Sequence, residues 1–351
     1  MSTTQFQSDS HYASRGYLTP WRTDGDRVWT YRLLVSHASV RVWEPLALRS
    51  VARHSHLYTR VVSGRESDDV ERWFNKEIET PAAEPLRKAI GDDRLTLDDW
   101  MRIVRFVAAQ DVRTPARLQE EFVRWQSELP AVLQAATEEG VRAAEASLLS
   151  ATPHDVGSDD RGSWLPMRVT VEPSPDGDGG TVRSELVLGR GLWLHEIRHL
   201  LQNTAHVLRR HKWTILKPPA GSKWFTSDDP VIRLNFHSRH QYDFRGGWGS
   251  QGTEILCPLS PQHLLYTRIG YRPPHRGSVA APEFASAVRR CIAEHAHRMI
   301  FADLPTDEVV RARPRSIDAA GHEHEQNEWR RWTTEQTAAE RELQQRADSR
   351  A

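Results

Sequence analysis

The sequence predicts an α+β fold, with a helical N-terminal half and an antiparallel sheet built largely from the C-terminal half. Apolar residues recur at helical spacing between residues 68 and 149. After residue 210, short apolar runs separated by turn-forming residues are typical of strands that pair antiparallel. At 351 residues, the chain is also long enough to bury a large core.

The helical half begins near Asp68. Four apolar residues at spacings of three and four predict one face of a first helix: Val70, Trp73, Phe74 and Ile78. Thr96, which precedes acidic residues, predicts the N-terminus of a second helix. Thr114 and Pro115 predict the start of a third helix, whose apolar periodicity continues towards Leu149.

The segment 151–180 is rich in Pro, Gly, Ser and Asp and predicts a loop. We expect helices at 191–210 and 284–301. One early strand is predicted at 27–31. The later strands are predicted at 213–216, 231–236, 254–256 and 263–269.

We predict a single domain over residues 1–305, followed by a charged tail at 306–351. The domain comprises a helix-rich part, a loop, and a helix followed by a sheet, at 65–150, 151–180 and 190–305. From residue 322 onwards, Trp329 and Trp332 are the only aromatic residues, and charged residues are frequent. The tail is therefore predicted to be an exposed helix or partly disordered, and it could contact a partner protein.

Composition narrows the class of protein. Lys and Arg together number 47 and so do Asp and Glu, so the net charge is zero, which argues against nucleic acid or anionic lipid as a partner. The two cysteines lie far apart and suggest no disulfide framework. The polar N-terminus lacks a signal-peptide pattern, and no run reaches the about 18 apolar residues of a membrane span. These features predict a cytoplasmic protein.

A series of motifs resembles a known bacterial family in order and spacing. The motifs are His11-Tyr12 with Tyr17-Leu18, Val28-Trp29 with Tyr31, Glu79, QDVRTP at 110–115, FTSDDPV at 225–231 and PLSP at 258–261. Over roughly residues 11–302 the chain is similar to the domain-of-unknown-function family 4238. Ser14 stands where the family usually has Pro, and Asp229 where it usually has Asn. The resemblance implies which residues matter but no reaction, substrate or cofactor.

The polar residues of these motifs form the first candidate site: His11, Gln110, Arg113, Ser227 and Asp228. His titrates near neutral pH, Asp can act as a base, and Arg can bind a phosphate or carboxylate in bidentate fashion. A small anionic ligand would suit such a set. The alternative is that these side chains build a turn and hold buried backbone groups together.

His195, Glu196 and His199 match the zincin pattern His-Glu-x-x-His, in which two His bind zinc and the Glu activates water. Zinc is therefore an optional cofactor. A third ligand would have to come from four residues: His206, Asp228, Asp229 or Glu254. A surface helix in a chain with 17 His is the alternative reading.

We therefore expect a hydrolase whose cleft lies between Gln110 and Arg113 on one side and Ser227 and Asp228 on the other. Arg113 would hold an anion, while His11 or Asp228 would transfer protons. A zinc-dependent hydrolase, a ligand-binding or sensing module in stress or phage defence, and a nuclease are the alternatives. The glycine-rich segment 245–249 is predicted to be a loop whose aromatic residue could cover a ligand.

Overall fold

A computed structural model describes residues 9–62, 64–149, 167–173, 180–238 and 241–348. The helices are α1 Arg15–Leu18, α2 Asp69–Phe74, α3 Thr80–Ile90, α4 Leu97–Val112, α5 Pro115–Leu149, α6 Arg190–His199, α7 Pro282–His295, α8 Asp307–Ala312 and α9 Ala319–Asp348. Two π-helical segments, Asn75–Glu79 and Leu200–Thr204, and three 3₁₀ segments, Thr19–Trp21, Leu48–Ser50 and Ala205–Arg210, extend or connect them.

The strands before residue 190 are β1 Asp9–His11, β2 Arg27–Arg32, β3 Leu34–Val35, β4 Trp43–Ala47, β5 Arg53–Ser55, β6 Arg60–Val62, β7 Arg65–Ser67, β8 Met167–Pro173 and β9 Gly180–Leu186. The later strands are β10 Thr214–Leu216, β11 Thr226–Ser227, β12 Ile232–Ser238, β13 Gln241–Asp243, β14 Glu254–Ser260, β15 His263–Arg268, β16 Met299–Ala302 and β17 Ser316–Ile317.

The largest sheet is antiparallel and comes from the C-terminal half, with strand order β10-β15-β14-β12-β13. Its central strands β14 and β15 are almost entirely buried, and β12 pairs Ile232 with Leu256 of β14. The N-terminal half carries the helices α2 to α5. The predicted α+β class and the distribution of helices and sheet are confirmed.

A second antiparallel sheet joins the two ends of the family-like region, with strand order β11-β16-β2-β4. Ser227 of β11 pairs with Ile300 of β16, which in turn pairs with Tyr31 of β2. The TSDDP motif, residues 226–230, comprises β11 and the turn after it, and this sheet places that turn next to the chain that leaves α7.

The predicted start of α4 is correct because Thr96 and Asp99 form a capping box. The Thr96 hydroxyl accepts a hydrogen bond from the backbone N–H of Asp99 at 3.1 Å, and the Asp99 carboxylate accepts one from that of Thr96 at 2.9 Å. These bonds satisfy two N–H groups that a helix end otherwise leaves unpaired. The cap therefore fixes where α4 begins.

Two predicted segments are correct only in part. The helix predicted at 284–301 ends at His295, because Met299–Ala302 instead pairs with β2 as strand β16. The loop predicted at 151–180 contains β8, which pairs with β9 as a hairpin. Residues 151–166 and 174–179 of that prediction lie outside the described residues.

The C-terminal tail forms the long helix α9, which docks on the body of the protein. Arg190 is fully buried at the start of α6, and its guanidinium contacts Glu340 at 3.1 Å and Thr337 at 3.1 Å. Near the other end of α9, the ring of Trp329 stacks on His54 with centroids 4.1 Å apart. No helix in the described part of the chain has the length and apolar composition needed to cross a membrane.

Candidate functional site

The QDVRTP motif forms the junction between α4 and α5, and the first turns of α5 separate two cavities. One face of α5 lines the larger cavity with Pro115, Leu118, Gln119 and Phe122. Another face lines the smaller cavity with Arg117, Glu120, Glu121 and Arg124. Residues three and four apart share one face of a helix, so each set follows from helical geometry.

Arg113, the candidate anion clamp, is a buried structural link. Only 1% of it is exposed, and its Nε donates to the backbone oxygen of Tyr12 at 2.9 Å. Its Nη1 donates to Glu79 at 2.6 Å. With its amide oxygen turned towards the guanidinium, Gln110 accepts from Arg113 at 2.9 and 3.0 Å. Arg113 thus holds Tyr12 in place, and each of its guanidinium nitrogens contacts a group of the protein.

Asp228 is also enclosed and serves the backbone. Its carboxylate accepts hydrogen bonds from the backbone N–H groups of His297, Arg298 and Met299 at 2.8–3.0 Å. Burial raises the pKa of Asp228 to about 7, although these three donors lower it. Ser227 closes the turn by donating to the backbone oxygen of Asp229 at 2.8 Å. Asp228 therefore fixes the position of 297–299, and Ser227 fixes the turn that carries Asp228.

His11 lies in strand β1, one residue before Tyr12, to which Arg113 is bonded. Its Nε2 is 3.3 Å from the backbone oxygen of Arg49, and burial lowers the pKa of its imidazole. Since Arg113 lies near enough to lower this pKa further, the structure brings the two residues into one region. The predicted site residues therefore lie where distant parts of the chain meet. Arg113 positions Tyr12 there, and Asp228 positions the backbone of 297–299.

The larger cavity, which we call the histidine cleft, has a volume of about 700 Å³. Tyr12 and Arg298, held by Arg113 and Asp228 respectively, line it together with His54 and His297. Burial lowers the pKa of His54 to about 4 and that of His297 to about 3, so both imidazoles are neutral at pH 7. The opposite side of the cleft is supplied by α9.

The smaller cavity, which we call the carboxylate cavity, has a volume of about 410 Å³. Its acidic lining comprises Glu120, Glu121 and Glu196. Burial raises the pKa of both Glu121 and Glu196, and the charge of Glu196 raises the pKa of Glu121 further. Carboxyl groups with raised pKa values that face a cavity are suited to proton transfer near neutral pH.

Glu121 and Glu196 are brought together by Arg124. The Nη2 atom of Arg124 lies 2.5 Å from Oε2 of Glu121 and 3.2 Å from Oε2 of Glu196, so these two oxygens are at most about 5.7 Å apart, the sum of the two distances. The indole of Trp125 also donates to Glu196 at 2.9 Å. The contact between Glu121 and Arg124 does not have the alignment of a hydrogen bond. Glu196, in contrast, accepts hydrogen bonds from both Arg124 and Trp125.

Four guanidinium groups face the same cavity: Arg117, Arg124, Arg233 and Arg245. Oδ1 of Asp111, in the QDVRTP motif, lies 3.4 Å from Arg117 and 3.3 Å from Arg233. Its Oδ2 accepts a hydrogen bond from the indole of Trp248 at 2.6 Å. One buried carboxylate therefore positions two cations and one aromatic ring of the cavity wall.

The TSDDP turn reaches the cavity through Asp229. This side chain accepts from Thr114 at 3.0 Å, and its backbone oxygen is 3.0 Å from Nδ1 of His295. The His295 ring packs edge-on against Phe244, which lines the cavity, with centroids 5.0 Å apart. Asp229, where the family usually has Asn, thus supports the aromatic wall from behind.

The HEIRH segment contributes its Glu to the carboxylate cavity, but neither of its His residues lines it. His199 is exposed, and its Nδ1 lies 3.1 Å from the amide of Asn203. Within the described residues, no group of three or more His, Cys, Asp or Glu side chains could hold a metal ion. The geometry therefore favours Glu196 as a cavity carboxylate.

Comparison with protein families identifies the region that builds this site. A family model described as "Protein of unknown function (DUF4238)" matches residues 10–304. The chain belongs to the DUF4238 family. No curated protein and no solved structure matches it.

The two cavities differ in how much of their lining lies inside the region that matches DUF4238. Every residue that lines the carboxylate cavity lies between Val112 and Trp248, inside the matched region. The histidine cleft instead takes a wall from α9, which begins at Ala319, beyond the match. The carboxylate cavity is therefore the candidate that the DUF4238 region forms by itself.

Sequence reasoning missed most of this cavity. It selected Glu196 as part of a zinc motif and the aromatic residue of 245–249 as a ligand cover, but it passed over Arg117 and Glu121. The signal was present, because the polar residues that follow QDVRTP are spaced three, four and seven apart from Arg117 onwards, which places them on one face of α5. Their partner Glu196 lies 75 residues further along the chain than Glu121, and the sequence does not show that contact.

Proposed function

We propose that this DUF4238 protein is a hydrolase whose active site is the carboxylate cavity. The observation that carries the proposal is the pair Glu121 and Glu196, two carboxylates with raised pKa values held at most about 5.7 Å apart by Arg124. This upper bound is compatible with the about 5–5.5 Å that separates the two carboxyl groups of retaining enzymes that cleave glycosidic bonds. A glycosidic bond is therefore the class of bond that the site suits best.

The roles of the two carboxylates follow from their donors. Glu196 accepts from Trp125 and contacts Arg124, and both interactions favour its ionised form, which suits a nucleophile. Glu121 has one contact to Arg124 that is not a hydrogen bond, and burial raises its pKa, so it suits the proton donor. Glu121 would protonate the leaving group and then take a proton from the attacking water.

The test is a screen of the full chain against chromogenic glycosides, esters and phosphate esters, with Glu121→Gln and Glu196→Gln beside the native protein. We expect glycoside hydrolysis that falls at least about 100-fold in each variant, because each removes a group that acts in proton transfer or nucleophilic attack. Glu138→Gln, an exposed position on the same helix, is the matched control. Activity that survives in Glu196→Gln would contradict the proposal.

A binding or sensing module is the second candidate. It is favoured by the partners that Glu196 already has in Trp125 and Arg124, since a fully paired carboxylate can recognise a ligand without reacting with it. Saturable binding of a glycoside to the native protein, with no product after prolonged incubation, would support this alternative.

A further inference from the structure

We infer that the carboxylate cavity takes a nucleoside 5′-monophosphate and cleaves its N-glycosidic bond. The inference rests on the proposed hydrolase function and adds the substrate class. Three features of the cavity support it: guanidinium groups placed for a phosphate, aromatic rings placed for a base, and the carboxylate pair Glu121 and Glu196.

The phosphate would be held by Arg245 and Arg233. Arg245 is exposed at the cavity and forms no ion pair with any residue that the structure describes. Arg233 shares the carboxylate of Asp111 with Arg117, so its guanidinium is fixed at the wall while part of it still faces the cavity. Guanidinium groups bind phosphate through paired parallel hydrogen bonds, and a second Arg strengthens that preference.

The base would stack on the aromatic wall formed by Trp248 and Phe244. Trp248 is held at both its ring and its backbone, because the indole donates to Asp111 at 2.6 Å and the backbone oxygen is 2.6 Å from Nε2 of His211. Phe244 is supported from behind by the ring of His295. Rigid aromatic side chains accept every nucleobase, because each base presents a flat π-face.

The size of the cavity favours a mononucleotide. Its volume of about 410 Å³ lies towards the lower end of the range of small-molecule sites, about 300–1,000 Å³. The chain has no net charge, which argues against a nucleic acid polymer as the substrate. A single nucleotide fits both observations.

The reaction balances with water as the co-reactant. In the first step the bond between C1′ and the base nitrogen breaks, its electron pair stays on the nitrogen, and that nitrogen takes the proton of Glu121 while an oxygen of Glu196 bonds to C1′. In the second step water attacks C1′, the ester bond to Glu196 breaks, and Glu121 takes the proton of the water. The products are the free base and ribose 5-phosphate.

The experiment compares each of the four ribonucleoside 5′-monophosphates with its nucleoside, using the full chain and measuring the released base by liquid chromatography. We expect base release from at least one monophosphate, and kcat/KM at least about tenfold lower for the matching nucleoside, because the nucleoside lacks the charge-assisted contacts to Arg233 and Arg245. Arg245→Ala should raise KM for the monophosphate and leave KM for the nucleoside unchanged.

Binding is tested separately from turnover in Glu121→Gln. The same monophosphate should bind this variant saturably in isothermal titration calorimetry, and Trp248→Ala in that background should weaken binding while Trp248→Phe, which retains a ring, should restore most of it. Far-UV circular dichroism of each variant establishes that it is folded.

The outcomes separate the inference from the proposed function. Hydrolysis of chromogenic O-glycosides without base release from any monophosphate overturns the inference and keeps the hydrolase. Equal kcat/KM for monophosphate and nucleoside also overturns it, because the phosphate would then make no contact. No hydrolysis of any glycoside overturns both.

Discussion

Trp248 and Asp111 are joined by a hydrogen bond of 2.6 Å from the indole Nε1 to a carboxylate oxygen. The same carboxylate lies next to the guanidinium groups of Arg117 and Arg233, although 137 residues separate Asp111 from Trp248. The last turn of α4 therefore fixes a loop between β13 and β14 and two cations of the cavity. This arrangement links the QDVRTP motif to the carboxylate cavity.

Asp111→Asn should lower the free energy of unfolding by about 2 kcal/mol, because it removes the buried carboxylate that pairs with both Arg117 and Arg233 and leaves the exposed Glu120 as their ion-pair partner among the described residues. Asn is similar in size, and its amide oxygen can still accept a hydrogen bond from Trp248. The decrease in the free energy of unfolding therefore measures the effect of removing the negative charge. Urea unfolding measures it, and Trp248→Phe is the comparison that removes the hydrogen bond alone, at a cost of about 1 kcal/mol. Native stability in Asp111→Asn would show that Arg117 and Arg233 are adequately solvated without Asp111.

The pH dependence of hydrolysis should follow the carboxylate pair. Activity should rise with pH as Glu196 ionises and fall as Glu121 loses its proton. Both changes should occur at a pH above the ordinary pKa of a Glu side chain, because burial raises the pKa of both carboxyl groups. The measurement is kcat/KM from pH 4 to 9. Residual activity in Glu121→Gln should lack the alkaline limb. An unchanged alkaline limb in that variant would assign the proton donor to another group.

Glu71 should make the stability of the protein depend on pH. Burial raises its pKa to about 7, although Arg113 lowers it, and its Oε2 has no hydrogen-bond partner in the described part of the chain. A raised pKa means that stability is fully present below the pKa of the unfolded chain and is lost as pH rises through about 7. Glu71→Gln should therefore be more stable than the native protein above pH 7, by up to about 3 kcal/mol, and similar to it near pH 4.

Urea unfolding at pH 5 and pH 8 measures this difference. Glu139→Gln, at an exposed position of α5, is the control and should leave the pH dependence unchanged. If Glu71→Gln loses stability at both pH values by the same amount, the carboxylate makes a pH-independent contact and the prediction fails.

The sequence identified the polar residues of the motifs but not the roles that these residues have in the fold. The sequence selected Arg113 and Asp228 and placed Asp228 in a turn at the end of a strand, where it lies. Their roles depend on partners far away in the chain: Arg113 contacts Tyr12 and Asp228 contacts the backbone of 297–299. Burial and partner are tertiary properties, so a polar motif that holds the fold together looks the same in sequence as one that binds a ligand.

In the HEIRH segment, the sequence does not reveal where the regular helix ends. A regular helix over 191–210 would place His195, His199 and His206 near one another on one face. In the structure α6 ends at His199, and a π-helical segment Leu200–Thr204 with a 3₁₀ segment after it changes the rotation per residue. His206 therefore does not lie on the face where a regular helix would place it beside His195 and His199. Apolar spacing does not reveal a π-helical turn, since the same residues fit a regular helix.

Elemental analysis tests the zinc variant directly. We expect the native protein and a His195→Ala, His199→Ala double variant to carry the same zinc content per chain, because the described residues supply no third ligand near this pair. The measurement is mass spectrometry of both proteins after dialysis against a weak chelator. Near-stoichiometric zinc that is lost in the double variant would restore the zinc-dependent hydrolase.

The docking of α9 should depend on Gly189. This residue has φ of 151°, and a Cβ atom there would lie 1.8 Å from Oε1 of Gln336, which accepts from the backbone N–H of Arg190. Gly189→Ala therefore combines backbone strain with displacement of Gln336, and it should lower the free energy of unfolding by about 1–3 kcal/mol. Trypsin should also cleave at Arg330 and Arg331 faster, because α9 would detach more often.

Gly16→Ala is the matched control, since a Cβ atom there would meet nothing within 4 Å and the residue lies inside α1. It should leave both the stability and the cleavage rate at the native level or slightly increase stability, because Ala favours a helix over Gly. If Gly189→Ala matched this control in both measurements, Gln336 could move aside at no cost, and the stability of α9 would have to come mainly from the buried pair of Arg190 and Glu340.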